Sequence, residues 1–250
     1  MKFVFLVQAR LGSSRLPGKI LLPFYEGDSI LDLLVKKLKS VNADIVLATS
    51  TIRQNDILEE MAGKYGINCF RGSENDVLQR FIDAAEEYGG NNIIRVCSDN
   101  PFLDLNSIKQ LIHFVERSKK TLDYVSFNIQ GIPSIKTHYG FWTEYVSLNA
   151  LKKVRTLTDE SLYHEHVTNY IYSHLSDFCV SWIDGPECIQ GHSNIRLTID
   201  TEEDFRNAAK IYSGLYLTNS YPAISDIVNY LDTHPEYYEY MHNQILKNSK

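Results

Sequence analysis

The chain has 250 residues, 44% of them hydrophobic and 22% charged, with a formal net charge of −6. That length and apolar content suit one well-filled domain, or one domain carrying a sizeable insertion. The acidic balance excludes general binding to nucleic acid or to an anionic membrane, because nothing supplies a broad cationic field, so any anionic ligand must be held by a local site.

Phe3 to Val7 (FVFLV) is an apolar run of strand length. It is too short for a secretory apolar region, and Arg10 and Arg15 follow it at once. No window approaches the roughly 18 apolar residues of a membrane span. Cys69, Cys97, Cys179 and Cys188 show neither a CxxC pair nor a framework spacing, as expected of free thiols in a reducing cytoplasm. Ser29 to Leu38 has helical periodicity, with Ile30, Leu31, Leu34, Val35 and Leu38 on one side. DIVLA (44–48) reads as a second strand, Asp56 to Tyr65 as a helix ended by Gly66, and INCF (67–70) as a third strand. SENDVLQRFIDAAEEYGG reads as a helix with Ser73 as N-cap and Asp76 in the capping-box position. NIIRVC is a fourth strand, Asn106 to Arg117 a helix, and DYVSFN a fifth strand. Strands alternating with helices predict an α/β fold, a mostly parallel sheet with helices on both faces.

After Asn128 the pattern changes. Residues 129–193 hold the aromatic-rich THYGFWTEYVS, a helical run around LYHEHVTNYIYSHL and a strand-like FCVSWI. They are expected to form an insertion that folds out of the sheet. IRLTID (195–200) reads as a returning strand and is followed by a helix from Glu202. The expected organisation is one domain over 1–250. Residues 1–128 and 194–215 make its core, 129–193 the insertion and 216–250 C-terminal helices.

Ligands of such sheets bind at the carboxyl ends of strands. QARLGSSRLPGK (8–19) stands at such an end, with two glycines, two serines, three cations and no acid. A loop of this kind can turn backbone N–H groups inward around a phosphate, with Gly12 supplying left-handed backbone and Arg10, Arg15 and Lys19 supplying charge. An exposed basic turn is the plainer alternative, and the loop matches neither GxxxxGK[ST] nor GxGxxG. SDNP (98–101) puts Asp99 at the fourth strand end, and IDTEED puts Asp200 at another. Thr201 with Asp204 fits a helix cap and capping box, worth about 1 kcal/mol, which does not require Asp200. Two carboxylates opposite a phosphate loop would make a hard-oxygen Mg²⁺ site.

QARLGSSRLPGK, FRGSENDVLQRF, SDNP, HEHVTNYIY and RLTIDTEEDF, in this order and spacing, resemble the cytidylyltransferases of the spore-coat polysaccharide type. These are relatives of the CMP-Kdo and acylneuraminate cytidylyltransferases, the CMP-sugar synthetases. The resemblance runs from Phe3 to about Ile211. It implies a Rossmann-like nucleotidyltransferase fold related to the A-type glycosyltransferases. It also implies Mg²⁺-dependent transfer of CMP from CTP to an acidic sugar, nonulosonic- or Kdo-like, with release of pyrophosphate. Carried over by position, Ala9, Arg10, Gly12, Ser13, Ser14, Arg15 and Lys19 would line the nucleotide and phosphate site. Ser98 would stand beside the nucleotide, Arg71 and Ser73, with Arg80 nearby, on the cytosine side, and Asp99 and Asp200 would hold the metal. Arg15, Lys19, Asp99 and Asp200 would carry the chemistry. The acceptor side would include His138, Glu144, His164, Glu165 and Arg196. A homodimer formed through the insertion is implied too. Two departures stand out: Ser98 replaces the glycine of the family's usual GD, and GFWTEYV replaces GLDVEVF, keeping Glu144 but putting Trp142 where an acid is usual. A phosphonate or another small acid as acceptor, or an A-type glycosyltransferase using a nucleotide-sugar, remain alternatives. The latter would carry a DxD pair, which Asp99–Asn100–Pro101 lacks.

Overall fold

The computed structural model describes residues 1–217 and 221–247. Residues 218–220 and 248–250, which fall in the expected C-terminal helices, lie outside the described residues. In chain order the elements are β1 (Phe3–Gln8), β2 (Pro23–Tyr25), β3 (Asp28–Ser29), α1 (Ile30–Leu38), β4 (Asp44–Ser50), α2 (Asp56–Tyr65), β5 (Asn68–Gly72), α3 (Val77–Glu87) and β6 (Asn92–Cys97). They continue with α4 (Leu105–Arg117), β7 (Tyr124–Ile129), β8 (Ile132–Pro133), β9 (Glu144–Ser147), α5 (Leu148–Leu157), α6 (Ser161–Glu165), α7 (Asn169–Ser173) and β10 (Val180–Asp184). Helices α8 (Glu202–Tyr216), α9 (Ile224–Asp232) and α10 (Pro235–Lys247) close the chain.

The main sheet has the strand order β10-β7-β9-β6-β1-β4-β5, with β8 paired to β7, while β2 and β3 form a separate hairpin. β1 is parallel to both β4 and β6, β4 to β5, and β10 to β7. Within the main sheet, among the described residues, only β9 and β8 run against their neighbours. Alternation along the strands splits the interior into two cores. Phe3, Phe5 and Val7 of β1, with Ile45 and Leu47 of β4, face the side covered by α1, α2, α4 and α8. Val4, Leu6, Val46 and Ala48 face the side covered by α3, α5 and α7. Both faces are therefore buried, which is why these strands read as near-continuous apolar runs.

The first half of the chain matches its sequence reading closely. Helix α1 is capped by Ser29 in a full capping box with Asp32, and α2 ends at Gly66 with φ 62°. One cap differs. Helix α3 begins at Val77 and its N-cap is Asp76, whose carboxylate accepts from Gln79 N–H. The Ser73 hydroxyl instead accepts from Asp76 N–H, a local turn before the helix.

Two larger expectations are corrected. The segment 129–193 does not fold out of the sheet. It supplies β9, inserted between β6 and β7, and β10, which extends the edge beyond β7. Conversely, IRLTID is not a strand. Ile195, Leu197 and Ile199 are buried at alternate positions, but Leu197 and Thr198 both donate their N–H to His138 O, at 2.9 and 3.1 Å. The segment packs on a loop, not on a ladder. Gly140, with φ 72°, allows that contact, since a Cβ there would stand 3.3 Å from the Leu197 and Thr198 backbone.

Candidate active site

The chain leaves the sheet after Gln8, and Ala9 N–H still donates to Ala48 O at 3.3 Å. Leu11 N–H then donates to Asn55 Oδ1 at 2.9 Å, and Asn55 Nδ2 donates to Ser50 Oγ at 2.6 Å. A buried asparagine thus ties the loop to the end of β4. Gly18 N–H closes the loop onto Leu11 O at 3.1 Å, and Gly18 has φ 67°. The left-handed position is therefore Gly18, not Gly12 as expected. A Cβ on Gly12 would meet only Glu74 Oε1, at an ordinary 3.7 Å. Ser13 Oγ accepts from Leu16 N–H at 3.4 Å, and Ser14 and Arg15 are exposed at the loop tip.

Opposite the loop stand the two acids. Ser98 is buried and its N–H donates to Gln8 O at 3.3 Å, so the ends of β1 and β6 stay joined one residue before Asp99. Lys19 Nζ donates to Asp99 Oδ2 at 2.7 Å and also to the carbonyl of Ile199, the residue before Asp200. One ammonium therefore clasps the β6 turn to the segment leading into α8. Asp200 accepts from Arg15 Nη2 at 2.8 Å and from Arg196 Nη2 at 2.9 Å. Among the described residues no three His, Cys, Asp or Glu side chains are grouped to hold a metal ion. Two half-buried carboxylates beside cations suit a hard cation that takes its remaining oxygens from phosphate and water, and Asp99 and Asp200 fit Mg²⁺ in that sense.

Behind Asp200, Arg196 is fully buried and spends its guanidinium inside the protein. Nε and Nη2 meet the two Asp204 oxygens at 2.9 Å each, and Nη1 donates to His138 Nδ1 at 2.8 Å. Burial alone would raise the Asp204 carboxyl. The hydrogen bonds and charge of Arg196, with the N–H groups of Thr201 and Asp200, bring it below the ordinary carboxylate value. Arg196 thus orients Asp200 in this structure, where the resemblance had placed it on the acceptor.

The remaining expected residues divide. Arg10 pairs with Glu165 at 3.1 Å and stands 3.9 Å from Glu74, and His164 Nδ1 lies 2.9 Å from Asp76. Helix α6 is thereby held against the 8–19 loop and the start of α3, which brings Arg10, His164 and Glu165 together. Arg71 turns away, to Asp56 at 2.5 Å and Glu59 at 2.9 Å on α2. Ser73 is exposed. Arg80 is fully buried, donates to Ser73 O, and leaves Nε and Nη2 without a partner.

Glu144, expected on the acceptor side, is instead enclosed by protein partners in this structure. Its side chain is 3% exposed and receives Arg95 Nη1 at 2.5 Å, the Tyr124 hydroxyl and the Thr168 hydroxyl. Arg95 also donates to Gln8 Oε1 at 3.0 Å. The physical reason is register: Glu144 sits opposite Arg95 in the β6–β9 ladder and points into the interior. Trp142, in place of the usual acid, stacks on Phe127 inside an aromatic cluster with Tyr139 and Phe141.

Asn55 escaped the sequence reading, since a single asparagine in RQND looks like any helix-start polar residue. The partner of Arg196 escaped as well. Asp204 was legible only as a cap, which it is, with Thr201 completing the box.

A mostly parallel sheet with a cationic loop after β1 and two acids at neighbouring segment ends defines an α/β nucleotidyltransferase. The chain belongs to the cytidylyltransferase family, whose model matches residues 4–247. It is 36% identical over 220 residues to the spore coat polysaccharide biosynthesis protein SpsF of Bacillus subtilis, covering 84% of this chain and 85% of that one. A solved cytidylyltransferase structure from Leptospira borgpetersenii matches with a TM-score of 0.83 at 28% identity, covering 95% and 96% of the two chains. CMP:2-keto-3-deoxy-manno-octonic acid synthetase, solved with CTP, matches with a TM-score of 0.64 over 85% of this chain and 98% of that one. At 14% identity this is a likeness of fold.

Proposed function

We propose that this cytidylyltransferase transfers CMP from CTP to an acidic sugar of the nonulosonic or Kdo type, releasing pyrophosphate, for surface polysaccharide synthesis. The single observation that carries the reading is the clasp at the strand ends. Lys19 bridges Asp99 and Ile199 O while Arg15 holds Asp200, so loop cations and acids meet in one place.

The N–H groups and cations of the loop would bind the triphosphate, with Arg15 and Lys19 neutralising charge that develops on departing pyrophosphate. Asp99 and Asp200 would hold Mg²⁺, which supplies charge neutralisation at the α-phosphate and orientation of the acceptor hydroxyl. To do so, Asp99 would release Lys19 and Asp200 would release Arg15 while keeping Arg196, and the freed Lys19 and Arg15 would be available to phosphate oxygens. Arg10, released from Glu165, would add a third cation, and α6 would border the acceptor with His164 and Glu165. Positioning and charge suffice for such a transfer, so no covalent intermediate is required. A cytoplasmic homodimer joined through the 129–193 segment completes the proposal. No helix among the described residues is long and apolar enough to cross a membrane.

The test is pyrophosphate release with CTP, UTP, ATP or GTP plus Mg²⁺, against acidic sugars and phosphonates. Turnover with CTP and an acidic sugar alone is the expected result. Turnover only with a phosphonate would replace the acceptor, and transfer from a nucleotide-sugar without CTP consumption would sink the reading.

A further inference from the structure

Lys37 lies in the last turn of α1, between Lys36 and Leu38, where the sequence reads as a cationic helix end. Lys36 is exposed, but Lys37 is 5% exposed, with its stem inside the core. Its ammonium meets no carboxylate among the described residues. It donates to the carbonyls of Pro101 at 2.9 Å and Leu103 at 3.1 Å, and to the Tyr216 hydroxyl of α8 at 3.1 Å. The Tyr216 and Tyr212 ring centroids lie 5.7 and 6.0 Å from it.

A buried ammonium is costly, and two of the three oxygens this one faces are carbonyls of a single turn. That turn, Ser98 to Asp104, carries Asp99. Its ends are tied elsewhere: Ser98 N–H to Gln8 O, and Asp104 N–H to Phe141 O at 2.8 Å. The middle is an apolar stretch with Phe102 and Leu103 buried, and it contains Pro101, which has no N–H to give. Lys37 supplies the donors that fix this middle from inside, while Lys19 reaches Asp99 from outside. Burial draws the Lys37 pKa down to about 8, with the Asp104 charge pulling the other way.

We infer that Lys37 is a positioning residue for Asp99: it pins the turn after β6 to α1 and α8 and so sets where the Asp99 carboxylate stands relative to the phosphate loop and Asp200. This rests on the reading of Asp99 as a metal ligand.

Lys37→Met keeps the stem length and removes the donors. Leu34→Ala, one turn earlier on α1 and buried in the same core, removes no hydrogen-bond donor and serves as the control for destabilisation alone. Three readouts are taken on the full chain. They are hydrogen exchange over 98–104, the Mn²⁺ dissociation constant by electron paramagnetic resonance with CTP and no acceptor, and kcat and KM for CTP. Lys37→Met is expected to speed exchange at Leu103 and Asp104. It should weaken Mn²⁺ and lower kcat by about 10- to 100-fold, the usual scale for losing a group behind a ligand, while KM for CTP stays near wild type. Leu34→Ala should lower the melting temperature with little change in Mn²⁺ affinity.

Wild-type Mn²⁺ affinity and kcat in Lys37→Met overturn the inference. So does an equal loss in Leu34→Ala, which would make Lys37 part of the packing only. If Lys37→Met does not fold, Lys37→Gln, one atom shorter and uncharged and so unable to hold both carbonyls, is read by the same criteria. A wild type that neither binds Mn²⁺ nor turns over CTP overturns the reading of Asp99 and this inference with it, whereas a normal wild type beside an unaltered Lys37→Met overturns the inference alone.

Discussion

Arg196 and Asp204 face each other with two 2.9 Å hydrogen bonds, Nε to Oδ1 and Nη2 to Oδ2, and the same Nη2 reaches Asp200. The helix cap of α8 and the orientation of a proposed metal ligand therefore share one guanidinium. Asp204→Asn should destabilise the fold by about 3–5 kcal/mol, because it leaves Arg196 buried without its partner charge. It should also reduce turnover through Asp200. The native Asp204 pKa lies below its ordinary value, so its stabilisation is fully present above that value. It is lost as the pH falls through the lowered native value. Wild-type stability should thus drop on acidification below about pH 4, and the Asp204→Asn curve should be flatter there. Thermal melts between pH 2.5 and 7 decide this, and parallel curves would contradict it.

Lys19→Met removes the clasp between Asp99 and the Ile199 carbonyl together with a cation offered to phosphate. Turnover should fall by about two to three orders of magnitude, the scale for losing one preorganised charge-stabilising donor. Asp99→Ala and Asp200→Ala should fall at least as far, and extra Mg²⁺ should not restore them. Steady-state pyrophosphate release measures all three, and an active Asp200→Ala would remove it from the site.

Glu144→Gln distinguishes structure from acceptor recognition. Arg95 would stay buried opposite a neutral amide, costing about 3–5 kcal/mol. Tyr124, whose hydroxyl is pushed well above its usual pKa by burial first and by the Glu144 charge second, would lose only the second of these causes. The expected result is a large drop in melting temperature with little change in KM for the acceptor in the fraction that stays folded. A raised acceptor KM at unchanged stability would restore the substrate role.

Asn55→Ala frees the Leu11 N–H and the Ser50 hydroxyl in a buried place, at a cost of about 1–3 kcal/mol. Because Asn55 fixes the proposed phosphate-binding loop to β4, KM for CTP should rise while the pH profile keeps its shape. Isothermal titration with CTP checks the binding term directly.

Much of this protein was legible from local pattern. The alternation of apolar strands and amphipathic helices over residues 3–117 determined the parallel core, because each period reflects one buried face. Cationic QARLGSSRLPGK and the acids Asp99 and Asp200 marked the candidate site, and the fold brings all three together. Tertiary structure decided what period cannot carry. IRLTID alternates like a strand, yet it packs on His138 because its neighbour in space is a loop. Glu144, Arg196 and Lys37 are all charged, yet each is buried among partners remote in the sequence: Arg95, His138 and the Pro101–Leu103 turn. A charge in a sequence shows only that a group can ionise. Whether it meets water, a ligand or a buried partner depends on chain segments tens to hundreds of residues away.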